Sequence, residues 1–321
     1  MIKYTIKRIL SLIPVVFVIS VILFGLTKLM PGDPAKLMVQ GVRPEYYEQA
    51  LEAARADLGL DQDIVTQYTK WIANICQGNL GKSSVYGTEV TEVIARPMQN
   101  TIAMNVFVLL FSLGISIWVG IKSAVKKGSI FDQFWQVFSL VGMSVPTFFI
   151  GLCLIFLFGY NLKWLPTGGM PDTSLTGAAY LVQWAQHLIL PVFTLTIISL
   201  AGTLRYVRNA MLEVLNQDYI RTARSKGLSE KVVIYSHAFR NALIPVVTIV
   251  IASIGTLFTG SMITESVFQW NGLGLVLLNS LNKRDFWVVV SMNLMYVVIY
   301  LVTNFIADLT YALVDPRVKL D

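Results

Sequence analysis

The chain has 321 residues, 55% of them hydrophobic and only 14% charged, with a formal net charge of +6. A soluble domain carries about 25% charged residues, so this balance excludes an ordinary water-soluble globule and selects the membrane class. The two cysteines, Cys76 and Cys153, are far apart in different kinds of segment and imply neither a disulfide framework nor a zinc site.

Lys3, Lys7 and Arg8 precede a first uncharged run at 9–27. That run exceeds the roughly 7–15 apolar residues of a signal core, and no small-x-small cleavage pattern follows it. It reads as a retained first helix, within a segment 1–30. Five more runs without Asp, Glu, Lys or Arg lie at 97–121, 133–162, 173–204, 241–264 and 286–307. A helix needs about 20 apolar residues to cross the hydrocarbon. Six spanning helices are therefore expected in an all-α membrane protein, with 161–162 and 173–186 read as loop.

Orientation follows from the basic residues. With the amino terminus inside, Lys3, Lys7, Arg8, Lys122, Lys126, Lys127, the basic residues from Arg205 to Arg240, Arg317 and Lys319 all face the cytoplasm. The short outer loops keep only Lys163, Lys283 and Arg284. Both termini are expected in the cytoplasm, with the chain multi-pass in the plasma membrane and in contact with its lipid.

Residues 31–96 form the one sizeable extramembrane piece on the outside. Tyr47, Leu51, Ala54 and Leu58, then Ile64, Tyr68, Trp71 and Ile75, repeat at helical spacing, and Gly59 divides the two sets. A small helical hairpin is expected, too small for a core of its own and leaning on the membrane domain. Within it "GNLGKSS" is not a phosphate loop, because Cys76 stands where a Walker A motif needs glycine. His187 and His237 lack carboxylates at ligand spacing, so neither a catalytic constellation nor a metal site is read here. Nothing points to nucleic acid.

The remaining residues, 97–321, make the membrane core. On the fifth span Thr248, Ala252, Thr256 and Thr259 recur at i, i+4, i+8 and i+11, with Thr256 near the middle of the run. Asn293, Tyr300, Asn304, Asp308 and Tyr311 do likewise on the sixth. Polar faces at membrane depth either line a water-filled pathway or pack helix on helix, and both readings stand. Asp308, near the inner interface, is expected in a structural pair. In "WNGLGLVLL", Trp270, Gly272 and Gly274 read as a bent outer segment.

Between the fourth and fifth spans lies "DYIRTARSKGLSEKVVIYSHAFRNALIP", 218–245, with five basic residues and a single central glycine. Tyr219, Thr222, Ala223 and Lys226 share one side of a first helix. Gly227 suits a left-handed corner, Ser229 an N-cap, and Glu230 the first turn of a second helix. Val232, Val233, Tyr235, Ala238 and Phe239 then supply an apolar stripe. A passive loop obeying the positive-inside rule is one reading; a surface helix that docks into a partner's groove is the other.

This stretch resembles the cytoplasmic EAA loop in the membrane subunits of binding-protein-dependent ABC importers. The family pattern E-A-A-x-x-x-G places Arg221, Thr222 and Ala223 at its first three positions and Gly227 at its glycine, in the variant form of the dipeptide, oligopeptide and nickel branch. "MPGDP" at 30–34, "SVPTFFIGL" at 144–152, "LPTGG" at 165–169 and "DLTYALVDPR" at 308–317 match that branch in order. The resemblance, to a B-type permease subunit, covers essentially the whole chain.

It implies a type I importer fold and a chain that is half of a pore, not an enzyme. Its partners would be a homologous second permease subunit, two ATPase subunits that bind the ATP and Mg, and an extracellular substrate-binding protein. This chain would hold no cofactor. The coupling loop would span 208–244, with Tyr219, Arg221, Thr222, Ala223, Arg224, Gly227 and Leu228 toward the ATPase. Thr248, Ala252, Thr256 and Thr259 would line the pathway, with Trp270, Gly272 and Gly274 at its outer mouth. Peptides are the implied cargo, a nickel chelate the alternative. A channel or secondary transporter would need no docking segment, and no internal repeat is visible.

Overall fold

A computed structural model describes residues 2–29, 33–39, 41–57 and 59–314. Its regular elements are helices: α1 (Ile2–Leu29), α2 (Pro34–Met38), α3 (Pro44–Asp57), α4 (Ile64–Cys76), α5 (Val90–Val125), α6 (Ile130–Ser144) and α7 (Thr147–Leu154). Then come α8 (Gly177–Leu215), α9 (Asp218–Ser225), α10 (Glu230–Val232), α11 (Arg240–Thr256), α12 (Met262–Val267), α13 (Leu273–Asn282) and α14 (Phe286–Val314). Two π-helical turns, Ile155–Asn161 and Val233–Phe239, extend α7 and join α10 to α11.

Among the described residues four helices, α1, α5, α8 and α14, are long and apolar enough to cross a membrane. The third expected span is not straight. Its two halves, α6 and α7 with its π-helical extension, meet at 103°. Val145 and Pro146 are both extended there, at ψ 128° and 136°. Proline forces its predecessor out of the helical region and offers no N–H, so an uncharged run is not thereby a continuous helix. The fifth run yields α11, of 17 residues, short of a full span on its own. Residues 177–186, expected as loop, instead open α8. Their Ala, Leu and Gln favour helix, and their polar groups are used locally. Gln183 accepts from the Asp172 N–H at 2.7 Å, and the His187 ring nitrogen bonds the Gln183 carbonyl at 2.8 Å.

The expected helical hairpin forms. Gly59 turns the chain at φ +63°. α2 and α3 bury Ala35, Val39, Leu51 and Ala54 against one another. α4 leans on the membrane helices, with Trp71 and Tyr68 packed on Phe24 of α1 and on Val290 and Leu294 of α14. Ile64, expected in that stripe, is exposed at the first turn of α4. Leu58 lies outside the described residues. The loop after α4 is pinned by the buried Asp285, which accepts from the Ser83 hydroxyl and from the Val85 N–H at 3.3 Å. Arg8 pairs with Asp308, so the structural pairing expected of Asp308 is present and ties α1 to α14.

α5 and α8 form the central pair. Ser112, Ser116, Gly120 and Ala124, spaced by four, are buried along α5. A Cβ on Gly120 would meet Val207 Cγ1 at 2.8 Å and the Arg208 nitrogen at 3.2 Å. At that crossing Arg208 grips Asp132 of α6 with two bonds of 2.7 Å, and Asp132 also accepts from the Gly128 N–H. The pair is largely buried, with side chains 15% and 4% exposed. Asp132→Ala leaves the guanidinium without its counter-charge and is expected to cost about 3 kcal/mol. Thermal unfolding of the purified chain in detergent measures this; Asp132→Asn, which keeps an acceptor, should lose less.

Candidate functional site

The segment after α8 is built as a corner. α9 runs to Ser225, Gly227 takes φ +77°, and Ser229 stands at the N-cap of α10 without a side-chain cap bond. Nothing lies within 4 Å of a Cβ on Gly227, so the glycine answers to its backbone conformation and not to crowding. Arg224 closes the corner on Glu230, with Nε 2.8 Å from Oε1. Arg208 to Leu215, expected as the start of the coupling loop, continue α8.

The predicted coupling residues do not share one face. Tyr219, Arg221, Thr222, Arg224, Gly227 and Leu228 are exposed, whereas Ala223 is buried. Ile220 and Ala223, three apart, turn inward onto Val233, Ala238 and Ala242 and onto Ile121, Ala210 and Met211 of α5 and α8. The spacing of Ile220 and Ala223 carried that signal in the sequence. The second stripe divides as well. Val233 and Ala238 are buried, while Val232 and Tyr235 stay exposed, as do Tyr219 and Leu228. The π-turn over Val233–Phe239 shifts the register there away from 3.6 residues per turn.

A cavity of about 380 Å³ opens between α5, α8 and the end of α11. Asn105 and Ser112 of α5, Ser199 and Thr203 of α8, and Ser253, Thr256, Thr259 and Ser261 line it with leucines, without a charged side chain among them. Thr256 and Thr259 both line this cavity, but not from one helical face. α11 ends at Thr256, so Thr256 closes the helix instead of sitting mid-span, and Thr259 belongs to the turn beyond. Asn105 ends the helix by donating Nδ2 to the carbonyls of Thr256, Leu257 and Thr259 at 3.1–3.2 Å. The side chains of Thr248, Ala252 and Tyr311 lie outside the described residues. Asn105, Ser112, Ser199, Thr203 and Ser253 were missed because they come from three elements, although Ser253 and Thr256 are neighbours at i, i+3.

Four of the lining hydroxyls share one polarity. Ser253, Thr256 and Thr259 donate to the carbonyls of Ile249, Ser253 and Thr256 at 2.7, 2.7 and 3.0 Å, and Ser112 to Leu109 at 3.2 Å. Their protons are engaged, so these four hydroxyls can act toward a ligand only as acceptors.

The segment expected at the outer mouth is buried scaffold. Trp270 is fully buried, donates Nε1 to the Asn100 carbonyl at 3.3 Å and packs with Trp184, Met104 and Leu188. Gly272 and Gly274 serve close approach, not a bend. A Cβ on Gly272 would lie 2.5 Å from Thr101 Oγ1, and one on Gly274 would lie 2.6 Å from the Met262 nitrogen. The buried Glu265 accepts from Thr101 at 2.9 Å and from the Leu275 N–H at 3.0 Å, fastening α12 to the N-terminus of α13. In this stretch Gln269 and Asn271 are the exposed polar residues.

Comparison with known proteins adds a second line. The family model of the binding-protein-dependent transport system inner membrane component matches residues 112–320, and that of its N-terminal membrane component matches residues 1–105. The oligopeptide transport system permease protein AppB of Bacillus subtilis is 39% identical over 320 residues, covering 99% of this chain and all of that one. The di/tripeptide transport system permease protein DppB of Pseudomonas aeruginosa is 36% identical, with 99% of each chain covered. The glutathione transport system permease protein GsiC of Escherichia coli K12 is likewise 36% identical, with 99% of each covered. The inward-facing MetNI methionine ABC transporter shares the fold, at a TM-score of 0.54 and 18% identity over 70% of this chain and 97% of that one.

Proposed function

The chain belongs to the family of inner-membrane components of binding-protein-dependent transport systems, and from that premise we propose that it is one half of a peptide-conducting pore. The observation that carries this reading is the uncharged, hydroxyl- and amide-lined cavity of about 380 Å³ at the end of α11. Hydroxyl lone pairs accept from the N–H groups that every peptide presents and discriminate little between side chains. Such a lining suits cargo already selected by an extracellular binding protein. The peptide permeases named above support the same cargo class.

A homologous permease subunit completes the pore, and two separate ATPase subunits supply the free energy. The exposed face of Tyr219, Arg221, Thr222, Arg224 and Leu228 docks into an ATPase groove from the cytoplasm. Its inner side, Ile220 and Ala223, is already packed on α5 and α8. Movement of the docked corner therefore reaches the central helix pair through direct contact. Both termini lie in the cytoplasm, and α2–α4 face outward, where the binding protein arrives.

Three measurements test this reading. Thr256→Trp should stop peptide uptake while assembly and basal ATP hydrolysis persist, and Thr256→Ser should be mild. Full uptake with Trp removes the pathway assignment, and loss of assembly assigns the position to packing. Gly227→Val places a β-branched residue at φ +77°, costing about 1–2 kcal/mol. Together with charge reversal at Arg221 and Arg224, it should lower substrate-stimulated ATP hydrolysis while the chain still inserts. Normal stimulation in all of these variants would falsify the coupling face. In a Cys153→Ser background, a membrane-impermeant maleimide should label the exposed Cys76 on intact cells. Labelling only after permeabilisation reverses the orientation.

A further inference from the structure

We infer that the outer cap carries a second ligand site, for a small zwitterion with a free carboxylate and a free ammonium group. A cavity of about 310 Å³ lies between α2, α3, α4 and the 79–89 loop, and it shares no lining residue with the cavity at the end of α11. Its volume is at the small end of the roughly 300–1,000 Å³ typical of small-molecule sites. Trp71 and Trp287 wall it, and Lys70, Lys82 and Glu89 surround it.

The walls are built before any ligand arrives. Trp71 is held by Phe24 and Tyr68, with ring centroids 5.6 and 6.1 Å away. Gly81, at φ +88°, lays the loop backbone on the Trp287 ring, where a Cβ would sit 3.5 Å away. Ser291 fixes the next carbonyl by donating to Leu80 at 3.2 Å, and the buried Asp285 holds Ser83.

The charges, in contrast, are uncommitted. Among the described residues Lys70, Lys82 and Glu89 make no ion pair. Glu89 stands at the N-cap of α5, yet its side chain makes no capping bond. Two ammonium groups and one carboxylate around a preformed, indole-walled cavity match a ligand carrying both charges. The lysines take its carboxylate and Glu89 its ammonium, each by a charge-assisted hydrogen bond. Asn79 spends its amide oxygen on the Gly81 N–H at 2.8 Å, which leaves its NH₂ for a carbonyl between the two termini. Identifying the zwitterion as a short peptide rests on the function proposed above; the site would then hold peptide on the permease itself, apart from the pore.

The test uses the full-length chain in nanodiscs without any binding protein, titrated calorimetrically with trialanine and with N-acetyl-trialanine amide. Saturable binding of trialanine is expected, at least tenfold weaker for the blocked peptide and for the Lys70→Ala/Lys82→Ala variant. Lys70→Arg/Lys82→Arg should retain it, and Glu89→Gln should weaken trialanine but not its N-acetylated form with a free carboxylate. Absence of saturable binding, equal binding of the blocked peptide, or an unaltered double-alanine variant overturns the site. So does a response seen only when substrate-free binding protein is added, which would assign this face to protein docking. Trialanine uptake by the complete importer separates the two readings. Binding without uptake counts against the pore's cargo alone, and uptake without binding counts against the cap site alone.

Discussion

The close approach of α5 and α8 is the contact on which the other parts of the molecule depend. Apolar area drives little association in lipid, where the tails are as apolar as the helices. What holds two helices there is intimate packing, and small residues every fourth position permit it. Ser112, Ser116, Gly120 and Ala124 supply that stripe on α5, and at Gly120 there is no room for a methyl group. One end of the contact brings Arg208 to Asp132 and thereby fixes α6, the first half of the bent third run. The same pair also provides Ile121, Ala210 and Met211, the floor under the corner at Gly227.

Toward the far end of that pair the logic changes from packing to buried polar bonds. Asn105 of α5 ends α11 by taking three carbonyls, and Thr101, one turn earlier, meets Glu265 and the Leu273 N–H. A single helix face thus positions both the cavity lining and the α12–α13 scaffold. The glycines serve that geometry. Gly260 and Gly274 face each other so closely that a Cβ on the first would lie 2.0 Å from the nitrogen of the second. The cavity polarity follows, because a helix stopped at Thr256 leaves its last hydroxyls bonded to their own main chain.

The permease consequently divides into faces with different duties. Ile220 and Ala223 belong to the interior, while Arg221 and Leu228 remain available outside. An eight-residue helix can do both only because its apolar spacing is confined to one side. At the opposite end the cap does not float. Trp71 joins α4 to α1 and α14, and the buried Asp285 ties the following loop to the start of α14.

The sequence by itself determined the membrane class, the all-helical composition, the helical hairpin divided at Gly59, the corner at Gly227 and the family. Each rests on local chemistry: missing charges, helical spacing, glycine where φ must be positive, and motifs in order. Tertiary structure alone decided the rest. Charge gaps located the third uncharged run and Pro146 carried the local signal for a break, but the 103° between its halves was not legible there, because hydropathy records solvent preference and not direction. Periodicity found Thr256 and Thr259 but put them on one helix face. The end of α11 is set by Asn105, more than a hundred residues away in sequence, which no local pattern contains. Trp270, Gly272 and Gly274 stood out as composition, yet their burial depends on neighbours from α5 and α12. Which side of a residue faces a cavity is a property of the whole packing, and only the folded chain expresses it.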